Sequence, residues 1–414
     1  MGSSVAKYGR LALLATGEQA TASVASLLFT LVLATQVSEN EFGLFGIAWS
    51  LVMLVESVFW AVLGQPTPAV AARLPTSRAP EVYGALYRIS LRWSVFSLAV
   101  CFLAAAPLTL IDRSLASTIA SAGLAAFALR IQQVFKRIFY QHEMRGYALA
   151  SAIIFALALA ISTTAVLSLG WRTAWGALLA WTFALACAAL VGLSVPELRT
   201  PPSQRVERYF QARSLRVGSP LILSSLLYWA STSSMLLLGG ILISLEASGS
   251  LRLLQLLLMP LQQGLTVATT ILTPPLARQL IKNPAEETRF ILYAVGGFTT
   301  AASIYALLLG TLGTLVVQSF LTEKYHLITA PAVGLMCIAA ILEAARTGAA
   351  AIFLARGDTK PILRGWIIAS AVLVVGLSLA RPISDFLTLP AILLASTAGA
   401  TLIVLFEASR RLRV

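Results

Sequence analysis

The sequence is poor in the residues that soluble proteins expose to water. Charged side chains make up only 11% of the 414 residues, whereas a soluble domain carries about 25%. Hydrophobic residues make up 58%, and the mean hydropathy is +0.84. This composition excludes an ordinary soluble enzyme and a disordered chain, and it predicts a polytopic membrane protein.

Cysteine and histidine, the residues that form disulfides and bind many metals, are scarce. Cys101, Cys187 and Cys337 each lie within an apolar run, which argues against a disulfide framework or a metal cluster. His142 and His326 have no partner at the spacing of metal ligands. We therefore expect no metal and no resident cofactor.

The sequence also lacks common catalytic and transporter motifs. It has no G-x-x-x-x-G-K-[ST] stretch, no H-E-x-x-H and no G-x-S-x-G. The connection at 65–81 lacks the G-x-x-x-D-R-x-G-R-R pattern of major facilitator transporters. No connection is long enough to form the catalytic outer loop of a membrane glycosyltransferase. We therefore expect that the protein is not an enzyme.

Twelve apolar runs are long enough to cross the membrane as helices, which takes about 20 residues each. They are 11–35, 43–64, 91–111, 115–134, 147–169, 174–193, 217–244, 253–274, 290–318, 329–354, 365–383 and 386–406. The first run is too long, and too polar at Glu18 and Gln19, for a cleaved signal peptide.

The basic residues predict the orientation of these helices. The net charge is +13, from 30 Lys and Arg against 17 Asp and Glu. Both termini, the even-numbered connections and the adjoining span ends hold 24 of the 30 basic residues, and the odd-numbered connections hold five. The positive-inside rule then places both termini in the cytoplasm. The charge is thus a topology signal, and nucleic acid is not expected as a partner.

The two halves of the chain are related in sequence. An offset of 206 aligns the Thr-Pro pair at 67–68 with that at 273–274, and an offset of 219 aligns the Arg-Gly-aromatic stretch at 145–147 with that at 364–366. Six spans per half give both halves the same orientation, which predicts parallel repeats. The predicted domains are an N-terminal six-helix lobe over 1–193, a cytoplasmic linker over 194–216 and a C-terminal six-helix lobe over 217–414.

The predicted fold is an all-α polytopic membrane protein, with twelve transmembrane helices in two parallel six-helix lobes around a central polar cavity. Polar side chains on single helix faces support the cavity, because polar groups within a span normally face the bundle interior. Three runs carry them: Gln19, Ser23, Ser26 and Thr30 on the first, Ser224, Ser225, Tyr228, Ser231 and Thr232 on the seventh, and Arg252, Gln255, Gln262, Gln263, Thr266, Thr270 and Thr273 on the eighth. Ordinary hydrogen bonding between helices is the alternative explanation.

Few charges lie deep within the spans, and each is a functional candidate because a charge at mid-membrane is costly. Glu343 and Arg346 are three residues apart and can pair on one helix face. This pair is either structural or a binding site for a phosphate. Glu18 and Glu56 have no cation at helical spacing on their own spans, which suits coupling to Na⁺ or H⁺ unless another helix supplies a partner.

One stretch resembles a known family. Residues 31–48 read LVLATQVSENEFGLFGIA, in which an apolar helix runs into an acidic-Phe-Gly-Leu-Phe turn at 41–45. This hairpin resembles that of Wzx-type flippases, the polysaccharide transporters of the multidrug/oligosaccharidyl-lipid/polysaccharide superfamily. Residues 356–360, RGDTK, are similar to the Gly-x-x-Lys connection that follows the tenth helix of this family. The resemblance covers the whole chain, although 381–385 lacks the family's Gly-rich turn.

The resemblance implies a flippase that moves a polyprenyl-diphosphate-linked oligosaccharide from the cytoplasmic to the outer leaflet, for cell-surface polysaccharide assembly. It implies alternating access with a cationic cavity, in the bacterial cytoplasmic (inner) membrane. The expected partners are the lipid-linked glycan, the lipid bilayer, and a polysaccharide polymerase or glycosyltransferases. The expected substrate contacts are Arg346, Arg252, Arg130, Glu343, Gln255, Gln262 and Gln263, and the ion-coupling candidates are Glu18 and Glu56.

Two other functions stay open on the sequence alone. One is an ion-coupled exporter of drugs or small solutes within the same superfamily, against which the deep acids are few. The other is a membrane enzyme of glycan assembly. Of the three, the hairpin favours the polysaccharide branch.

Overall fold

The computed structural model describes residues 2–67, 70, 79–141, 144–195, 202–282, 287–313, 325–356, 358–379 and 385–411. Within these ranges the chain is built from helices with short connections. The α-helices are α1 Gly2–Gln36, α2 Glu39–Phe59, α3 Ala79–Leu108, α4 Arg113–Gln141, α5 Arg145–Ser168, α6 Ala174–Leu193, α7 Gln204–Thr232, α8 Ser234–Leu242, α9 Leu245–Lys282, α10 Glu287–Leu308, α11 Ala330–Arg356, α12 Lys360–Leu379 and α13 Thr388–Arg411. One π-helical turn, Trp60–Gly64, continues α2, and another, Leu309–Gly313, continues α10.

The described helices account for a multi-pass membrane protein, as the composition predicts. Ten of them are long and apolar enough to cross a membrane, and the bent pair α7–α8 makes an eleventh. The eighth predicted span, 253–274, lies within α9. Its glutamines at 255, 262 and 263 lower the hydropathy of this helix.

The seventh predicted span, 217–244, is broken rather than continuous. The chain bends by 41° between Leu221–Thr232 and Ser234–Leu242. At the break the Ser234 hydroxyl donates to the carbonyl of Ala230, four residues earlier. Hydroxyls that bond to the backbone in this way often bend helices, so the serine-rich sequence at 231–234 accounts for the break.

The predicted linker also differs from the structure. Residues 196–201 lie outside the described ranges, but 204–216 form the first turns of α7. Val206 and Phe210, four residues apart, are buried against α3, and Glu207 pairs with Arg92 of α3 at 2.6 Å. The many charges of this stretch suggest a loop, yet they lie on the outer face of an amphipathic helix.

The chain divides into two compact units, Met1–Leu226 and Leu227–Val414, with the boundary inside α7. In the first unit α4 is the central helix, because it packs against α2, α3 and α6, while α5 packs against α1 and α6. Ile138 and Phe139 of α4 are fully buried.

The second unit repeats this pattern of neighbours. Here α11 packs against α9, α10 and α13, and α12 packs against α13. Ile352 and Phe353 of α11, which an offset of 214 aligns with Ile138 and Phe139, are fully buried as well. Such a recurrence is what a duplicated six-helix unit predicts.

The acidic-Phe-Gly-Leu-Phe turn has a structural basis in the first unit. Ser38 caps α2 by accepting from the Glu41 backbone N–H at 3.3 Å, and Phe42 and Phe45 are buried in the core. A carboxylate oxygen of Glu41 accepts from the backbone N–H of Ala174, the first residue of α6, at 2.7 Å. One acid therefore stabilises the N-termini of two helices, where negative charge is favoured.

Close backbone packing of α11 on α10 gives a test of this fold. A Cβ at Gly348 would lie 2.7 Å from the Ala294 carbonyl oxygen, whereas a Cβ at Gly334 of the same helix would have no atom within 4 Å. We expect Gly348→Ala to lose about 1–3 kcal/mol of stability through overpacking. We expect Gly334→Ala to gain up to about 1 kcal/mol from helix propensity. Thermal unfolding of the purified protein in detergent checks both, and equal shifts for the two variants would contradict this packing.

Candidate functional site

Arg346 and Glu343 of α11 form the ion pair that their spacing predicts. The Arg346 Nε atom donates to Glu343 Oε2 at 3.0 Å, and a terminal guanidinium nitrogen donates to Oε1. The Arg346 side chain is 7% exposed and the Glu343 side chain is 25% exposed. The carboxylate is therefore the more accessible partner, and it holds the guanidinium through both of its oxygens.

Two aromatic rings adjoin this ion pair. The Arg346 guanidinium lies over the ring of Trp366, 4.1 Å from its centroid, and Tyr228 contacts the same ring edge-to-face at 4.9 Å. A hydrogen bond of 3.0 Å between Ser231 and Ser370 also links α7 to α12. Tyr228 is exposed, so the second unit places an accessible aromatic side chain close to a cation.

In the first unit, three cations of α4 reach the neighbouring helices. Arg130 is almost fully buried, and its Nε lies 3.7 Å from a carboxylate oxygen of Glu56 on α2. Its guanidinium lies 4.6 Å from the centroid of the Phe59 ring and donates to Ser97 of α3 at 3.4 Å. In this conformation the predicted substrate contact Arg130 is engaged within the protein.

Lys136 forms the second ion pair of α4, with Glu18 of α1. The Nζ–Oε1 distance is 2.8 Å, and the side chains are 24% and 3% exposed. The Tyr140 hydroxyl donates to the other Glu18 oxygen at 2.6 Å, and Lys136 also donates to the Gln19 side-chain oxygen at 3.2 Å. Glu18 and Glu56 thus lack a cation only on their own helices, since α4 supplies one to each.

Arg137 reaches the π-helical turn that ends α2. It donates to the carbonyl of Gly64 at 2.8 Å, and its guanidinium lies 4.8 Å from the centroid of the Trp60 ring. A π-turn leaves backbone groups without the regular helical pattern, and Arg137 satisfies one of them. The cation therefore stabilises an irregular point within a membrane helix.

Sequence reasoning missed Lys136, Tyr140 and Trp366 as site residues, because it counted Lys136 as topological charge and gave the two aromatics no role, whereas Tyr228 was noted only among the polar positions of the seventh run. A signal was present in the spacing. Lys136 and Tyr140 are four residues apart on α4 and face α1, whereas Arg130 and Arg137 are seven apart and face α2. Each pair is aligned with one neighbouring helix that carries a deep acid.

The polar face of α9 is only partly accessible. Gln262 is exposed, whereas Arg252, Gln255 and Gln263 are half-buried. The Thr266 hydroxyl donates to the Gln262 backbone carbonyl at 2.9 Å and is therefore satisfied within its own helix. Gln262 is therefore the most accessible of the four predicted contacts on this helix.

Hydroxyls of the polar face of α1 are also satisfied locally. Ser26 and Thr30 donate to carbonyls four residues earlier, at 2.7 and 2.8 Å. These bonds match the alternative explanation for Ser and Thr, which needs no cavity. Gln19 differs, because its amide group contacts both Lys136 and the Ser23 hydroxyl.

Apolar helices that hold paired cations, amides and aromatic rings within their membrane-spanning lengths define a polytopic membrane protein with polar groups inside its helical units. The chain belongs to the family described as polysaccharide biosynthesis protein, whose family model matches residues 12–280. The resemblance of the hairpin to Wzx-type flippases is confirmed at this level.

Solved structures share the fold over nearly the whole chain. An inward-facing multidrug resistance MATE family transporter of the MOP superfamily has a TM-score of 0.75 at 15% identity, covering 95% of this chain and 94% of that one. The lipid II flippase MurJ, in an inward closed conformation, has a TM-score of 0.66 at 12% identity, covering 96% and 87%. A MOP superfamily transporter from Pyrococcus furiosus has a TM-score of 0.65 at 16% identity, covering 99% and 94%.

These three solved structures are of two transporters and a flippase, and at these identities the likeness shows the fold. A comparison with curated proteins finds no match.

The buried Glu56–Arg130 pair gives a second prediction. We expect Arg130→Gln to cost about 3–5 kcal/mol of stability, because it leaves the Glu56 charge buried without compensation. The double variant Glu56→Gln/Arg130→Gln removes both charges and is expected to recover most of the loss. Chemical unfolding of the purified protein in detergent measures the difference.

Arg364→Gln is the matched control, because Arg364 pairs with Glu407 at 2.5 Å but is 60% exposed. It is expected to cost no more than about 1 kcal/mol. If Arg130→Gln were as stable as the double variant, Glu56 would not depend on Arg130 for its compensation.

Proposed function

We propose that this transporter flips a polyprenyl-diphosphate-linked oligosaccharide from the cytoplasmic to the outer leaflet by alternating access. The observation that carries the proposal is the cluster of Glu343, Arg346, Trp366 and Tyr228 in the second unit. It places a forked cation and accessible aromatic surface together within membrane-spanning helices. These are the two chemistries that a diphosphate and a sugar require.

The diphosphate is the costly part of the substrate to move. An anion cannot leave water for hydrocarbon unless other groups replace its hydration. A guanidinium binds phosphate oxygens through two parallel N–H donors, the arrangement that Arg346 now makes with Glu343. Glu343 keeps the guanidinium oriented and is displaced by the head group.

The sugar needs apolar faces and amide groups rather than charge. The C–H bonds of a sugar ring pack on aromatic faces, which carry partial negative charge. Tyr228 offers such a surface beside Arg346, and Trp366 backs the guanidinium. Gln255, Gln262 and Gln263 of α9 are proposed to bind sugar hydroxyls, with Arg252 as a further cation on that helix.

We keep Glu18 and Glu56, the two deep acids of the first unit, as the candidates for ion coupling. Glu18 and Glu56 each hold a cation of α4. Binding of H⁺ or Na⁺ at either carboxylate would weaken that pair and loosen the contact of α4 with α1 or α2. The proposed coupling therefore acts through helix packing as well as through charge.

We place the protein in the bacterial inner membrane with both termini in the cytoplasm, working with a polysaccharide polymerase or glycosyltransferases. The positive-inside bias predicts that alkaline phosphatase fused within 170–173, on the outer side, is active. The same enzyme fused within 202–203, on the inner side, is expected to be inactive. Activity at 202–203 alone would reverse the proposed orientation.

Loss of the Arg346 cation tests the function directly. We expect Arg346→Gln to slow flipping of a polyprenyl-diphosphate-linked glycan in proteoliposomes by at least about tenfold, because a charge-assisted phosphate contact is lost. Trp366→Ala is expected to lower the rate less. Accessibility of the glycan to an externally added lectin measures the flipped fraction.

Arg364→Gln serves again as the control and is expected to flip at the rate of the unsubstituted protein. Unchanged flipping in Arg346→Gln would remove the cationic site from the mechanism. If the protein instead conferred drug resistance and moved no glycan, the exporter function would replace the proposal.

A further inference from the structure

Lys136 is a cation whose carboxylate partner is buried and whose own side chain is not. The Glu18 side chain is 3% exposed and contacts both Lys136 and Tyr140, whereas the Lys136 side chain is 24% exposed. The positively charged residue is therefore the more accessible member of the pair. Arg130, the other paired cation of α4, has a side chain that is 1% exposed and is not accessible to a ligand in this conformation.

The ammonium of Lys136 has donor capacity left for a ligand. It has three donors, and among the described residues its contacts are Glu18 Oε1 at 2.8 Å and the Gln19 side-chain oxygen at 3.2 Å. Gln19 in turn donates to Ser23 at 3.5 Å, so the accessible part of Lys136 adjoins the polar face of α1. A polar anion that reaches Gln19 and Ser23, which are only partly buried, would meet the ammonium.

We propose that Lys136 is a binding site for a diphosphate, with Glu18 as the counter-ion that occupies it at rest. This inference deepens the proposed function, on which it rests, by adding a head-group site in the first unit. Lysine binds phosphate as a compact point charge. The arriving anion replaces Glu18 at the ammonium, and Gln19 and Ser23 supply further polar contacts.

Displacement has a consequence for Glu18. A buried carboxylate that loses its counter-ion next to a diphosphate is an uncompensated charge beside a like charge. Glu18 removes this negative charge by taking up one proton from water, and it returns the proton to water when the head group is released. Tyr140 holds Glu18 in both states, because its hydroxyl can donate to the carboxylate or accept from the protonated form.

The ionisable groups that face Glu18 come from the helices around it. Lys136 and Tyr140 contact it from α4. From α5, the Arg145 guanidinium lies 5.6 Å from the centroid of the Tyr140 ring. On the α2 side, Arg137 is directed to Gly64 and away from this pair.

In this proposal the proton and the head group bind to the protein together. The bound proton offsets part of the diphosphate charge that crosses the membrane. Both move in the same direction, so the coupling differs from antiport.

Binding to the purified full chain in detergent tests the exchange. Titration calorimetry with farnesyl diphosphate, in buffers of different ionisation enthalpy, gives both affinity and proton uptake. We expect Glu18→Gln to bind at least about tenfold tighter, because Lys136 no longer has a competing carboxylate. We expect about one proton fewer to be taken up than in the unsubstituted protein. The titration of the ligand itself cancels in this comparison.

Lys136→Met is expected to lose binding, and so is the double variant Glu18→Gln/Lys136→Met, in which no buried charge is orphaned and folding is preserved. Glu407→Gln, at a half-buried carboxylate that is paired with Arg364, and Lys360→Met, at an exposed position, are the controls and should match the unsubstituted protein. Unchanged affinity in Glu18→Gln would overturn the proposal. So would unchanged proton uptake in that variant, or unchanged binding in the double variant.

Inorganic diphosphate forms the second arm and identifies the source of the anion. An equal response of both ligands to the variants supports recognition of the diphosphate alone, and a response of farnesyl diphosphate alone supports a lipid-linked head group. The flipping assay stays separate. Failure of glycan flipping with an intact exchange would reject the proposed function, whereas a missing exchange with Arg346-dependent flipping would reject this site only.

Discussion

The structure depends on one constraint, that a charge within membrane-spanning helices must be compensated by the protein itself. Water is absent from the hydrocarbon region, so each deep cation needs a carboxylate, a carbonyl or an aromatic face. Arg346 has Glu343 and Trp366, Arg130 has Glu56 and Phe59, and Lys136 has Glu18. A polyprenyl diphosphate has the complementary requirement, because its negative charges must be compensated by cations within the membrane. A protein that stores compensated cations within its helices can exchange one anion for another.

The two units meet this constraint differently although their helices pack in the same pattern. In the first unit the cations belong to the central helix α4 and pair with acids of α1 and α2, so the ion pairs hold separate helices together. In the second unit the offset of 214 places Ala350 and Ala351 at the positions of Lys136 and Arg137. Its ion pair lies within α11 instead, and Trp366 and Tyr228 link that pair to α12 and α7. A duplicated scaffold therefore carries two distinct charge arrangements.

Hydropathy, charge bias and internal offsets were sufficient to predict an all-helical membrane protein and to place most helices. The Glu343–Arg346 pair was predictable because both residues lie on one helix at a spacing of three. The pairs of α4 were not, because Glu18 and Lys136 are far apart in sequence and only the packing of α1 near α4 brings them together. The break in α7 and the helical start of α7 were missed for a related reason. Both depend on hydrogen bonds and buried contacts with α3 that hydropathy does not record.

The central claim is that compensated cations in the helices exist to accept the diphosphate of a lipid-linked glycan. Its most direct test is the rate at which the purified protein flips one glycan carried on three polyprenyl lipids in proteoliposomes: a diphosphate, a monophosphate and an uncharged linkage. The account predicts that the rate falls in that order, with the uncharged lipid at least about tenfold slower than the diphosphate, since each lost charge removes a charge-assisted contact. Equal rates for all three lipids would contradict it.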